Sequence, residues 1–405
     1  MLNHNLEALI TYSDAIKCLY YNGIATSSDI SGCTGKSIPY VNKVLTDLKN
    51  AGLIEERGLA ISTGGRKPLN YSLVANTYYI LSVAIDQFSS QMVFVDMSNN
   101  FSGEVEINEF DLHELTEEQL FVSINNFINN APLKKSNILG IGLTMPGFVD
   151  PEKGENYTYS QFFDPSVVEY LEEKLRLPVF LENDSTAIAL AEQHFGVAAD
   201  VKNVMVINLG WGIGLGMILN NQIFRGNNGL AGEFSHIPLF KNGKLCTCGK
   251  HGCLETEASL IVITNNAKQG VAEGKTTSLA NYPEITADAI ISEATKGDVF
   301  SVKLLSEAAY HVGEGLAILI HLINPRIIVL SGKGSIVGKL WLAPIQQAIN
   351  EHCIPRLTHF TEIKISNLNV KAQLIGGAAL VIENLGKPLE DKLRAIEAIT
   401  TNKIY

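Results

Sequence analysis

From Tyr78 onward, short apolar runs of strand length alternate with amphipathic helical stretches, and that alternation confines most of the chain to α/β architecture. Residues 80–86, 92–96 and 104–107 read as successive strands. A helix over 117–129, a strand at 138–143, a helix near 167–175, a strand at 179–181 and a helix from Ser185 follow. A second run of the same kind opens with strands at 204–208 and 214–219 and ends with strands at 327–330 and 362–365. The expectation is two α/β lobes with a cleft between them. Residues 388–399 place Leu389, Leu393, Ile396 and Ile399 on one helical face, which predicts a helix packed back on the body. With 405 residues, 46% of them hydrophobic, the chain is too long for one ordinary domain.

The first 75 residues follow a different pattern. Leu6, Leu9, Ile10, Ala15, Ile16 and Leu19 share one face of a helix ending near Asn22-Gly23, and a short second helix capped by Ser27 or Ser28 follows. After a turn at residues 32–35, Ser37 reads as an N-cap with Pro39 in the first turn of a third helix. Its buried stripe is Val41, Val44, Leu45 and Leu48. Residues 53–56 and 71–74 read as two strands flanking a glycine-rich tip, Gly64-Gly65-Arg66-Lys67-Pro68. This is the layout of a winged helix-turn-helix. Lys36, Ser37, Tyr40 and Lys43 at the start of the third helix suit a major groove, and Arg66 and Lys67 suit a narrow minor groove. The expected partner is a double-stranded DNA operator, bound by a homodimer or a dimer of dimers on paired half-sites. A head that only mediates protein contacts is the alternative.

The net charge of −11 argues against nucleic acid only as an average. Residues 1–75 balance at +1 and the remainder at −12, so a near-neutral head sits on an acidic body. No uninterrupted apolar stretch reaches the ~18 residues of a membrane span, residues 316–330 being broken by His321, Asn324, Pro325 and Arg326. No membrane partner is expected. The start lacks a signal-peptide pattern, so the compartment is expected to be the cytosol and the six cysteines to be thiols or metal ligands.

Half of those cysteines fall within eight residues: Cys246, Cys248 and Cys253, preceded by His236. One imidazole and three thiolates satisfy tetrahedral Zn2+ and leave no open position for a catalytic water, which makes the metal structural. A set of redox thiols is the alternative. Cys18, Cys33 and Cys353 are left as buried thiols.

Gly232-Glu233-Phe234-Ser235-His236, the Cys-x-Cys-Gly-x-x-Gly-Cys run before Leu254-Glu255, Glu182-Asn183-Asp184 and Gly210-Trp211-Gly212-Ile213-Gly214 together resemble the ROK family of sugar kinases and sugar-responsive repressors. The winged head places the resemblance in the repressor branch. It implies an actin-like, ribonuclease H-like body that binds a sugar or sugar phosphate. By position, Asn183, Asp184, Glu233, His236 and Glu255 match the family's sugar-contacting residues, and Gly147 sits where backbone should approach the ligand. His236 would ligate zinc through one nitrogen and face the sugar with the other. The expected domains are 1–75 for the head, 76–195 for a first lobe completed by residues 387–405, and 196–386 for a second lobe bearing the zinc loop.

In the family's kinases Asp184 would be the general base, and glycine-rich turns would hold ATP phosphates. Here the first turn reads Asp86-Gln87-Phe88-Ser89-Ser90, Trp211 in the second stands where the kinases carry Thr, and the adenosine-side turn Ser331-Gly332-Lys333-Gly334 is nearer to type but has Lys333 within it. The expectation is a DNA-binding regulator, most simply a repressor, that kept sugar recognition and lost phosphorylation. A zinc-containing ATP-dependent sugar kinase is the alternative, and a sensor that binds a regulatory protein is a third reading.

Overall fold

The computed structural model describes residues 4–60, 67–159 and 166–402, with side chains to residue 399. Contacts divide the chain into two compact units, Met1–Asn183 with Leu374–Tyr405, and Asp184–Gln373.

The first unit opens with α1 (His4–Thr11), α2 (Ser13–Asn22), β1 (Ala25–Thr26), α3 (Ser27–Thr34) and α4 (Ile38–Asn50), followed by β2 (Ile54–Leu59) and β3 (Leu69–Leu73). The apolar stripe expected as one helix breaks at Tyr12 (φ −105°, ψ 29°), whose hydroxyl donates to Asp47 of α4 at 2.6 Å. The cap of α3 is Thr26, one residue before the expected serines. Its hydroxyl accepts from Asp29 N–H while the Asp29 carboxylate accepts from Thr26 N–H, a reciprocal box that neither serine can form. Val41, Val44, Leu45 and Leu48 are buried as their spacing requires. The strands form a three-stranded sheet in the order β1-β3-β2, which completes a winged helix-turn-helix.

The same unit continues with β4 (Tyr79–Ile85), β5 (Ser89–Asp96), β6 (Phe101–Glu109), α5 (Glu117–Asn130), β7 (Ile138–Met145), β8 (Val149–Asp150), β9 (Glu155–Asn156), α6 (Val167–Leu175) and β10 (Val179–Asn183). The five-stranded sheet runs β10-β7-β4-β5-β6, with β4-β5-β6 antiparallel and β7 and β10 parallel to β4.

The second unit repeats that topology. It contains α7 (Asp184–Phe195), β11 (Val204–Leu209), β12 (Ile213–Leu219), β13 (Gln222–Ile223), α8 (Glu255–Ala258), α9 (Leu260–Ala272), α10 (Ala287–Thr295), α11 (Val299–Ile323), β14 (Ile327–Ser331), α12 (Lys339–His352), α13 (Pro355–Thr358) and β15 (Glu362–Ile365). Its sheet order is β13-β12-β11-β14-β15, again an antiparallel trio followed by two parallel strands. Parallel strands buried on both faces read as continuous apolar runs, which is why Ile327–Ser331 is buried throughout. The long α11 packs on α12 and is capped by Asp298.

Two helices fall on the other side of the boundaries expected at 195 and 386. Helix α7 packs on β11 and β12 and so belongs to the second unit. Helix α14 (Ala372–Glu383) belongs mainly to the first, where the buried Ser82 hydroxyl of β4 donates to Leu374 O at 2.7 Å. Helix α15 (Lys387–Asn402) packs on that same unit, with Leu389 and Ile396 buried and Lys392 paired to Glu172 of α6 at 2.8 Å. Among the described residues no helix is long and apolar enough to cross a membrane.

Candidate metal centre and sugar site

The strand β12 and the 3-10 turn Phe234–His236 lead into a segment too polar and too rich in glycine to build its own core. It is folded by backbone bonds, Cys246 N–H to Lys250 O at 2.7 Å and Gly249 N–H to Cys246 O at 2.9 Å, and by bridges joining Pro238 to Cys253 and Leu245 to His251. These bring one ligand atom from each of His236, Cys246, Cys248 and Cys253 within 4.8 Å of one another. Cys248 Sγ lies 3.6 Å from Cys253 Sγ, and Cys246 Sγ lies 3.5 Å from His236 Nδ1. A zinc ion with about 2.3 Å bonds to sulfur and 2.0–2.1 Å to nitrogen would set tetrahedral edges of roughly 3.5–3.8 Å. The donor set and its spacing therefore fit Zn2+.

His236 Nδ1 faces the thiols, and its Nε2 lies 3.8 Å from Glu233 Oε2. Glu233 in turn feels Glu255 and Asp184: burial first, then these two carboxylates, push its carboxyl up to about 7. Asp184 opens α7, where one oxygen accepts from Ser185 N–H and hydroxyl at 2.7 and 3.0 Å and the other accepts from Asn208 Nδ2 at 3.0 Å. The structure thus gathers Asp184, Glu233, His236 and Glu255 in the second unit. In the first unit it joins the other two expected residues: Asn183 Nδ2 donates to Gly147 O at 3.1 Å. Gly147 has φ +102°, and a Cβ there would stand 2.8 Å from Thr158, so only glycine suits the turn.

Asn208 was missed in the sequence because a lone amide in a strand carries no motif. Its partner becomes visible only when β11 and α7 pack together. Asn156 and Thr158 were missed for the same reason. Asn156 donates to Pro146 O at 2.9 Å, and the Thr158 hydroxyl accepts from Phe148 N–H at 2.9 Å, so the pair holds the Gly147 turn.

Two of the three turns that depart from the kinases' pattern, the first phosphate turn and the adenosine-side turn, are bonded locally. Asp86 bonds its own turn, accepting from Phe88 and Ser89 N–H groups at 2.7 Å each, so those amides face a carboxylate. Lys333 pairs with Asp288 at 2.8 Å and lies 5.3 Å from the centre of the Trp211 ring.

In the head, Lys36, Ser37, Tyr40 and Lys43 all lie exposed at the start of α4, and Lys67 is exposed before β3. Arg66 lies outside the described residues. Ser37 occupies the N-cap with extended angles and makes no capping bond through its side chain. Among the remaining cysteines, Cys18 and Cys353 are buried, but Cys33 is exposed, because the last turn of α3 faces solvent.

A winged helix-turn-helix followed by two α/β units of repeated topology, one carrying a cluster of one histidine and three cysteines beside converging carboxylates, defines a DNA-binding-type head on an actin-like body. The chain belongs to the ROK family, whose sequence profile matches residues 102–384. It is 30% identical over 400 residues to a xylose repressor of Caldicellulosiruptor bescii, covering 95% of this chain and 98% of that one. It is 35% identical over 285 residues to a glucokinase of Halalkalibacterium halodurans, covering 69% and 86%. A solved ROK family transcriptional regulator, described as a homologue of the E. coli MLC protein, superposes with a TM-score of 0.76 at 25% identity, covering 98% of this chain and all of that one.

Proposed function

We propose that this chain is a sugar-responsive transcriptional repressor. Its winged head binds an operator through Lys36, Ser37, Tyr40, Lys43, Lys67 and Arg66. Its body takes a sugar or sugar phosphate through Asp184, Glu233, His236 and Glu255, with Asn183 and Gly147 contributing. The observation that carries this reading is that the likeness to the xylose repressor runs through head and body alike, whereas the likeness to the glucokinase covers 69% of this chain.

The chemistry of the cluster supports a polyol ligand. Ionised carboxylates accept from sugar hydroxyls, and a Glu233 carboxyl titrating near 7 offers a proton as well. A polar site left unpaired by the wrong sugar discriminates strongly. The Zn2+ ion would be held by His236, Cys246, Cys248 and Cys253, and its contribution is to fix the imidazole and the loop. His236 would then keep Nε2 for recognition, its ring held by Nδ1.

Phosphoryl transfer fits the chain poorly. It needs amide and cationic groups aimed at phosphate. The amides of the first turn are bonded to Asp86, and Lys333 is paired with Asp288. The glucokinase likeness keeps a sugar kinase with Asp184 as base as the second reading. A homodimer on paired half-sites would supply the contact area that one small head lacks. A thermal-shift screen of free and phosphorylated pentoses and hexoses against the full chain tests the reading. Stabilisation by one of them without ATP turnover supports it; turnover of ATP with any sugar at an ordinary enzymatic rate overturns it.

A further inference from the structure

The head carries a second pair of thiols, remote in sequence from the metal cluster. Cys18 is buried in α2 and Cys33 is exposed in the last turn of α3. Helices α2 and α3 pack against each other. Both sulfurs also lie against one amide, with Asn22 Nδ2 at 3.7 Å from Cys18 Sγ and 3.9 Å from Cys33 Sγ. Asn22 is itself held, donating to Cys18 O at 2.8 Å. Two helices thus present one accessible and one shielded sulfur to each other.

That asymmetry is what a dithiol sensor requires: an entry sulfur open to solvent and a resolving sulfur beside it. We propose that Cys18 and Cys33 form a reversible disulfide on exposure to a two-electron oxidant of the peroxide class, making the head a site of redox modification. Hydrogen peroxide transfers one oxygen to Cys33 Sγ, giving a sulfenic acid and releasing water. Cys18 Sγ then attacks the oxidised sulfur, and the S–O bond breaks as the S–S bond forms. The Cys18 proton leaves with the hydroxide as a second water, so two thiols and one peroxide give one disulfide and two waters. A dithiol reductant reverses the step. Burial, the neighbouring Cys33 thiol and the nearby Asp29 carboxylate all hold the Cys18 thiol protonated, so ring closure quickens as pH rises.

The position gives the bond a mechanical consequence. Cys33 lies in the last turn of α3, a few residues before α4 begins, and the turn between the helices is closed by the Ser31 hydroxyl donating to Lys36 O at 2.6 Å. A covalent tie from α2 to this turn restrains the segment from which Lys36 and Ser37 project.

Trypsin releases both sulfurs in one peptide, because Lys17 precedes Cys18 and the next basic residue is Lys36. The three cluster cysteines fall in other peptides. The full zinc-loaded chain is treated with hydrogen peroxide, alkylated, digested and weighed. The expected product is the 18–36 peptide lacking two hydrogens and carrying no alkyl group, restored to a doubly alkylated form by dithiothreitol and absent in Cys33→Ser. Cys33 is exposed, so that variant keeps the fold; Cys18→Ala provides a second check and should leave Cys33 as a trapped sulfenic or sulfinic acid. Recovery of the wild-type peptide with Cys18 alkylated and Cys33 over-oxidised, or with both thiols alkylated while peroxide is consumed at the metal cluster, overturns the proposal.

Discussion

Replacing Gly315 with Ala sets two physical effects against each other. Gly315 lies inside α11, where Ala is favoured over Gly by about 1 kcal/mol on propensity alone. A Cβ built there would stand 2.7 Å from Phe234 Cζ, 2.9 Å from Phe234 Cε2 and 3.1 Å from Leu254 Cδ2. Phe234 and Leu254 are 2% and 0% exposed and belong to one apolar cluster with α11, so neither ring nor isobutyl group has an open direction to retreat. Overpacking of this kind costs about 1–3 kcal/mol. The expected net effect is a loss of up to about 2 kcal/mol, seen as a fall of up to a few degrees in Tm. The disturbance is also functional. Phe234 sits between Glu233 and His236 on one side of the contact, and Leu254 lies between Cys253 and Glu255 on the other. Gly315→Ala should therefore loosen zinc retention and blunt any sugar-induced thermal shift. A variant more stable than wild type, with unchanged zinc affinity and sugar response, would refute the reasoning by showing that propensity wins and the cluster yields freely.

Three other outcomes are expected. Dialysis of the purified chain should leave about one zinc per chain by atomic absorption. Cys253→Ser should lower that stoichiometry and the Tm together, and a Cys253→Ser protein with full zinc content would remove Cys253 from the ligand set. Burial alone would raise the Asp298 carboxyl, but N–H bonds from Ser278 and Ser301 and hydroxyls of Ser301 and Thr277 hold it down at about 2. A pKa lowered below the unfolded value near 3.9 stabilises the fold at neutral pH and ceases to do so as pH falls from about 4 through 2. Asp298→Ala should cost about 1–2 kcal/mol in urea at pH 7, with the gap closing below about pH 3; a gap independent of pH contradicts the assignment. Lys43→Ala, assayed on a duplex selected from a random pool, should lower the salt slope of binding by about 1 if Lys43 meets a phosphate. An unchanged slope would move the interface off the start of α4.

Much of this molecule was legible from spacing. The period of α4 names its buried stripe, and the strand-length apolar runs locate nearly every strand of both sheets, because burial of a face imposes its period on the residues. The Cys-His run pointed to the cluster of His236, Cys246, Cys248 and Cys253, because zinc accepts few donor types and those residues rarely cluster otherwise. Helix ownership was not legible in this way. An amphipathic helix such as α7 shows which of its faces is apolar but not which sheet covers that face, so the units divide at Asn183/Asp184 and not after residue 195.

The sequence by itself determined most of the order of elements, the helix and strand pattern of the head, the clustering of one histidine with three cysteines, and the residue types expected to contact a sugar. These are properties of local periodicity and of donor chemistry. Tertiary packing alone decided that Asn208 holds Asp184, that Glu255 and Asp184 lie close enough to raise Glu233, that Lys333 is turned to Asp288 over Trp211, and that Cys18 and Cys33 share Asn22. Each of these depends on distances between segments far apart in the chain. Electrostatic and thiol chemistry vary with distance over a few ångströms, a scale that residue order does not record.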